Sequence, residues 1–221
     1  MIWVIDDFYP NPDEVREKAL QLEYTSGISK DKKQLGRVFH PGHRKLTSNS
    51  PDPFWIKNNI YLRNRWSQIA QAKVLKWTSI NSNCAFNLGY IDKVNRFSWI
   101  HSDDPLEDPT HYRMYACVVY LTPNPPPNTG TLMFASKGNI RDVQMKGGQK
   151  SKFYPPIRGS YLDNPVSVDR DWTVHMSVAN RYNRCIMYEA DMLHAPEDAG
   201  FGETKQTARL TQIGFWHGEQ R

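Results

Sequence analysis

Cysteine is scarce in this chain of 221 residues: there are three, Cys84, Cys117 and Cys185, odd in number and each set in an apolar stretch. That excludes a disulfide framework and reads as buried, reduced thiols in a cytoplasmic protein. Long hydrophobic runs are missing as well. The longest, residues 114–121, falls far short of the ~20 residues that cross a bilayer, so no membrane partner is expected. No base precedes Arg16, and Asp6 and Asp7 stand near the start, so no signal peptide is expected. Fifteen prolines and 13 glycines are ordinary usage, which excludes collagen-like and low-complexity chains. The 28 Lys and Arg exceed the 23 Asp and Glu by only five, and outside residues 30–33 the bases are spread. No nucleic-acid motif accompanies them, so the excess reads as a mildly basic solvated surface.

Aromatics, by contrast, make up 12% of the residues, too many for a disordered chain. No repeat and no linker divides the sequence, which predicts one domain over 1–221. Residues 1–80 read as a helical N-terminal part and 81–221 as a β-rich core with a long insertion at 135–182. Asn11 and Pro12 open the first helix, with Asn11 as the capping side chain and Val15, Ala19 and Leu22 as the apolar stripe. A second helix is expected from Asp52-Pro53, burying Ile56, Ile60, Trp66 and Ile69. From Cys84 onward the period is two. Cys84, Phe86, Leu88 and Tyr90 alternate, as do Phe97 and Trp99, residues 172–178, and Ile186 with Tyr188. Residues 112–121 are apolar on both faces, the mark of a strand covered on both sides. At least seven short strands with no helical pattern between them predict a mainly β sandwich or jelly roll.

Seven histidines justify a search for metal spacing. His101 and Asp103 lie two apart at a strand end, so both side chains can turn to one face. His194 follows a buried strand and a turn, where it can supply a second imidazole. Two histidines and one carboxylate leave open positions on a divalent ion, as in non-haem iron(II) oxygenases. Arg209 and Thr211 share a face of the last long strand; a fixed guanidinium beside a hydroxyl suits a ligand carboxylate. Asp104 is a rival to Asp103. Phe86, Tyr90, Phe97, Trp99, Phe215 and Trp216 could wall a cavity, although core packing is the default role for such rings.

Residues 84–216 resemble the Fe(II)/2-oxoglutarate-dependent dioxygenase superfamily, especially its small prolyl-hydroxylase-like members. The resemblance rests on His101-x-Asp103, on residues 115–122 (YACVVYLT) and 129–134 (TGTLMF), on Asn183 through His194, and on residues 209–216 (RLTQIGFW). The opening Asp7-Phe8-Tyr9-Pro10 before a helix is similar too. The resemblance implies a double-stranded β-helix with iron(II) on His101, Asp103 and His194. It implies 2-oxoglutarate held by Arg209, Thr211 and Tyr115, and dioxygen as the oxidant. The implied activity is that of a hydroxylase acting on a peptidyl residue, an amino acid or a small metabolite, with release of succinate and CO2. The alternative is a cupin-like metal-dependent isomerase or binding module that never uses dioxygen. Thr129-Gly130 departs from the usual double glycine. The resemblance says little of 135–182, where Arg141, Lys146, Lys150, Lys152 and Arg158 are basic.

Overall fold

The computed structural model describes residues 1–28, 38–71, 74–77, 84–91, 97–98, 100–103, 112–136, 157–158 and 172–219. Two helices precede or flank a set of antiparallel strands. In chain order these are β1 (Ile2–Ile5), α1 (Pro12–Leu20), β2 (Thr25–Ile28), β3 (Val38–Leu46), α2 (Pro53–Ala70), β4 (Val74–Trp77) and β5 (Ala85–Gly89). Then come β6 (Phe97–Ser98), β7 (Tyr112–Tyr120), β8 (Thr131–Ser136), β9 (Ile157–Arg158), β10 (Trp172–Val178), β11 (Cys185–Glu189), β12 (His194–Pro196) and β13 (Arg209–Glu219). The major sheet runs β1-β11-β7-β13-β5-β3-β2, with β4 also on β13, and the minor sheet runs β10-β8-β12. This is the mainly β jelly roll that the strand pattern predicts. Of the described residues, no helix is long and apolar enough to cross a membrane. The three cysteines are free and buried.

The strands at the middle of the major sheet are buried on both faces because each face meets a different core. On β7, Tyr115, Cys117 and Val119 pack towards the helices with Trp55, Leu62 and Trp66. Met114, Ala116 and Tyr120 point the other way, joining Met133, Val178, Ile186, Tyr188, Ile213 and Phe215 between the sheets. This explains why Cys185, Ile186, Met187 and Tyr188 of β11 are all buried rather than alternating. Period two is visible in a sequence only where one face meets water. β10 keeps that alternation, since Thr173, His175 and Ser177 are exposed between less exposed Val174, Met176 and Val178.

The helix starts follow proline and an acidic neighbour, though not in the same way. Asp52 accepts the Phe54 N–H at 2.8 Å and caps α2. Asn11 makes no side-chain capping bond at α1, contrary to the sequence expectation; Pro12 at the first turn, with Asp13 and Glu14 behind it, begins that helix. The expected buried face of α2 also needs correction. Ile56 and Ile60 are 47% and 55% exposed, whereas Trp55, Asn58, Leu62 and Trp66 are buried. Two neighbouring stripes on the helix are both apolar, and the sheet selects the one carrying the indoles. Gly214 on β13 makes the selection possible, because a Cβ there would stand 2.1 Å from Trp66 Cη2. Gly214→Ala is accordingly expected to lower stability by about 2 kcal/mol through overpacking. Urea denaturation would check this, and an unchanged midpoint would show that Trp66 has room to retreat.

The Asp7-Phe8-Tyr9-Pro10 segment is fastened to the sheet by polar groups. The Asn183 side chain accepts the Tyr9 N–H at 2.8 Å and donates to the Tyr9 carbonyl at 2.9 Å. Tyr9, Asn58 and Gln212 close a buried ring of hydrogen bonds through the Tyr9 hydroxyl. Every polar group in that ring has a partner, which is what makes its burial tolerable.

Candidate metal centre

The backbone brings two distant histidines face to face. His101 and His194 form an antiparallel bridge, each N–H donating to the other's carbonyl at 3.0 and 2.9 Å. Directly opposed residues in such a pair carry their side chains on the same side. The Asp103 N–H then donates to the Ala190 carbonyl at 2.8 Å, which turns the chain back towards the same spot. Asp103 Oδ1 lies 3.5 Å from His101 Nε2, and Oδ2 lies 3.3 Å from His194 Nε2. One donor atom from each of the three residues falls within 4.8 Å of the others. Asp104 lies outside the described residues.

Electrostatics suit this donor set to a cation. Burial pushes the His194 imidazole down to about 4, assisted by neighbouring His101 and opposed by Asp103. Burial alone would raise the Asp103 carboxyl; His194, His101 and Arg44 outweigh it and hold the group below its ordinary value. The result at neutral pH is a neutral imidazole beside an ionised carboxylate, the protonation states a metal ion requires. His194 Nδ1 stands 3.0 Å from the Met192 carbonyl, which assigns the proton to Nδ1 and leaves Nε2 with its lone pair towards Asp103.

The same shift has a consequence for the metal-free protein. Between about pH 6.5 and pH 4 His194 is neutral in the folded state and protonated in the unfolded one, so stability falls as the pH drops through that window. The loss attributable to this group is about 3 kcal/mol. Urea midpoints for wild type and His194→Gln, each taken at pH 7 and pH 4, would measure it. A pH dependence equally steep in both proteins would contradict the assignment.

Arg209 and Thr211 occupy the inner face of β13, with Ile213 and Phe215 further along that face. Arg209 Nε donates to the Thr129 carbonyl at 3.3 Å, and its guanidinium lies 5.6 Å from the centre of the Tyr120 ring. Burial draws the Arg209 guanidinium below its ordinary value, while Tyr120 and Asp198 hold it up. The Tyr120 hydroxyl meets Thr131 Oγ1 at 2.7 Å, linking the major sheet to the minor one. Thr129-Gly130, the departure from a double glycine, has a structural reading. Thr129 supplies a carbonyl to Arg209, and a Cβ on Gly130 would stand 2.0 Å from the Val178 carbonyl oxygen.

Tyr115 does not join this group. It packs on the helical side of β7, its ring stacked on Trp216 at 4.4 Å and tilted against Trp3 at 5.9 Å. Tyr120 occupies the inner face instead: it lies an odd number of residues along the strand, and side chains alternate. Of the aromatics considered as cavity walls, Phe86 and Trp216 also face the helices, and Phe215 faces inward. Tyr90 is half-buried beside His43, with ring centres 5.4 Å apart, and Trp99 lies outside the described residues.

Three inner-face residues escaped the sequence reading. Tyr188 lies against the His194 ring at 4.7 Å, and burial, together with the nearby Asp103 carboxylate, holds its hydroxyl well above the ordinary value. Arg44 on β3 and Asn87 on β5 are joined by a bond from Nε to Oδ1 of 2.7 Å. No local motif announces Arg44 or Asn87, which reach the inner face by strand pairing; Tyr188 lies within the Asn183–His194 stretch, close before His194.

The fold has relatives among solved structures. HygX from Streptomyces hygroscopicus, with nickel and 2-oxoglutarate bound, is 14% identical with a TM-score of 0.55, covering 99% of this chain and 83% of that one. A prolyl hydroxylase from Trichoplax adhaerens, in complex with a hypoxia inducible factor peptide, is 13% identical with a TM-score of 0.55 and the same coverage. SnoK, a non-haem alpha ketoglutarate dependent carbocyclase from nogalamycin biosynthesis, is 12% identical with a TM-score of 0.56, over 99% of this chain and 79% of that one. These likenesses establish the jelly-roll fold. No curated protein matches the sequence. The chain belongs to the family of unknown function DUF6445, which it matches over residues 1–216.

Proposed function

We propose that this protein is a single-domain Fe(II)- and 2-oxoglutarate-dependent dioxygenase that hydroxylates an organic or peptidyl substrate. The observation that carries the reading is the convergence of His101, Asp103 and His194 on one face, with Arg209 and Thr211 on the inner face of the strand that completes the site. A divalent metal fits the donor set, because one ionised carboxylate and a lone pair on His194 Nε2 meet within 4.8 Å. The fold neighbours support the choice of co-substrate, since HygX holds 2-oxoglutarate in this same architecture. When bound, iron(II) with 2-oxoglutarate supplies the oxidising power that inserts one atom of dioxygen into a C–H bond, releasing succinate and CO2.

The chain's own residues define the rest. His101, Asp103 and His194 would hold the ion on one side only, leaving the opposite side for ligands. Tyr188 packs on the His194 ring beside Asp103, and the Met192 carbonyl orients His194. Arg209 and Thr211 would receive the distal carboxylate of 2-oxoglutarate. Thr129 and Tyr120 hold that guanidinium in place from two sides. Met133, Val178, Ile186 and Phe215 keep water away from the space between the sheets. An isomerase or simple binding module has no need for Arg209 at the base of the site, and the oxygenase reading accounts for it.

Succinate formation is the test. Wild-type protein in air with iron(II) and 2-oxoglutarate, and no added substrate, is expected to make succinate slowly and measurably by NMR. Asp103→Ala should make none, while Asp104→Ala should match wild type. Succinate from Asp103→Ala but not from Asp104→Ala would move the carboxylate ligand by one residue.

A further inference from the structure

A level row of polar side chains crosses the inner face of the major sheet, and one end of it is a cation that the proposed chemistry does not use. Thr211 pairs with Tyr120 on one side and Asn87 on the other, and Asn87 pairs with Arg44. Residues opposite one another in register share a face, so Arg44, Asn87, Thr211 and Tyr120 all look into the space between the sheets. Arg44 lies two strands from β13 and one side-chain repeat out of level with Arg209. Strand spacing and rise then put the two Cα atoms roughly 12 Å apart.

The two arginines keep different company. Arg209 is surrounded by Tyr120, Thr129 and Asp198. Arg44 is tethered by Asn87, and the acid whose charge it feels is Asp103. Burial brings the Arg44 guanidinium down to about 10, still fully charged at neutral pH. The charges at that end can be followed through loading. Without metal, the Asp103 carboxylate, not in ion-pair contact with Arg44, supplies a negative charge on that side. With a divalent ion and a chelating keto acid in place, Asp103 and the keto-acid carboxylate together neutralise the ion. Arg44 then stands beside a neutralised centre as a partly buried cation whose nearby counter-charge has been taken. Keeping a cation there is costly unless an anion arrives to meet it. A planar guanidinium fixed at Nε by Asn87 presents its remaining N–H groups as a fork, the geometry that grips a carboxylate.

We propose that Arg44, oriented by Asn87, binds a carboxylate of the primary substrate, so that the protein acts on carboxylate-bearing molecules and holds them by that group on the β3 side of the metal. This rests on the oxygenase reading and deepens it. Arg209 serves the co-substrate and Arg44 the substrate, from two strands of the same inner face.

The test uses the complete chain loaded anaerobically with iron(II) and saturating 2-oxoglutarate, with 4-fluorophenylacetate and 4-fluorophenylacetamide as a matched acid and amide. Paramagnetic broadening of the fluorine NMR line reports a probe bound near the metal. The acid is expected to broaden saturably in wild type, and the amide to bind at least about tenfold more weakly. Arg44→Gln should weaken the acid by about tenfold while changing 2-oxoglutarate affinity by less than about twofold. Arg44→Lys keeps the charge and should fall between; Asn87→Ala, which leaves Arg44 intact, should weaken the acid in the same direction if Arg44→Gln fails to fold. Equal broadening by acid and amide would overturn the proposal, as would no broadening in a complex that shows the 2-oxoglutarate charge-transfer band. So would a loss of 2-oxoglutarate affinity in Arg44→Gln as large as that in Arg209→Ala, which would make Arg44 a co-substrate residue. Absence of the charge-transfer band itself would instead sink the oxygenase reading.

Discussion

Arg209→Ala is expected to lose 2-oxoglutarate affinity by about a hundredfold while its affinity for iron(II) stays within about twofold of wild type. The size follows from the burial of the guanidinium. A charge-assisted, forked contact made away from water is worth far more than an exposed ion pair, and a carboxylate brought to the site without it would be left uncompensated. Tyr120 and the Thr129 carbonyl are both in place around Arg209, so the side chain is already held and little ordering is lost on binding. Arg209→Lys should recover only part of the affinity, because an ammonium offers a point charge where a fork is required. Isothermal titration of metal-loaded protein with 2-oxoglutarate separates the two affinities. Unchanged 2-oxoglutarate binding in Arg209→Ala would show that another residue receives the distal carboxylate.

His194→Ala carries the other large effect. Iron(II) affinity should fall by about a hundredfold or more, since loss of a group that merely orients a ligand costs 10–100-fold and loss of the ligand costs at least that. His194 is the best prepared of the three donors: it is buried, neutral near pH 7, and turned by the Met192 carbonyl so that Nε2 faces Asp103. Stability should respond in the opposite direction below neutral pH. Removing a buried imidazole that must shed its proton to fold relieves the metal-free protein of that cost. Competition between the protein and a chromophoric chelator for iron(II) measures the affinity. Retention of wild-type affinity would mean that the His101–His194 bridge is only a structural pairing.

How far the sequence could carry these conclusions depended on what each pattern reports. His101, Asp103 and His194 were readable because spacing of two and a turn after a buried strand are local features, and the structure brings the three together. Strands β5, β7, β8, β10, β11 and β13 were readable as period-two or doubly apolar runs, whereas β1, β2, β3 and β4 of the major sheet lie in residues 1–80, which read as helical. Facing was not readable where both faces are covered. In β7 Tyr115 and Tyr120 are both buried, so nothing in the sequence says which one points inward, and Tyr115, expected at the co-substrate, packs on the helical side. On α2 the same ambiguity lay between two apolar stripes, and it was decided by Gly214 on a strand about 150 residues later. Arg44 and Asn87 were invisible for a related reason. Their significance comes from register across the sheet, a non-local property that no window of sequence contains.

In the proposed function, His101, Asp103 and His194 hold iron(II) and Arg209 holds 2-oxoglutarate. Its most direct test is the visible absorption spectrum of the protein with iron(II) and 2-oxoglutarate in the absence of oxygen. The expected result is a weak metal-to-ligand charge-transfer band that appears only when both components are present. That band should be lost at any iron concentration in reach with His194→Ala, and should shift to higher 2-oxoglutarate concentration with Arg209→Ala. A folded wild-type protein that gives no such band would contradict the claim.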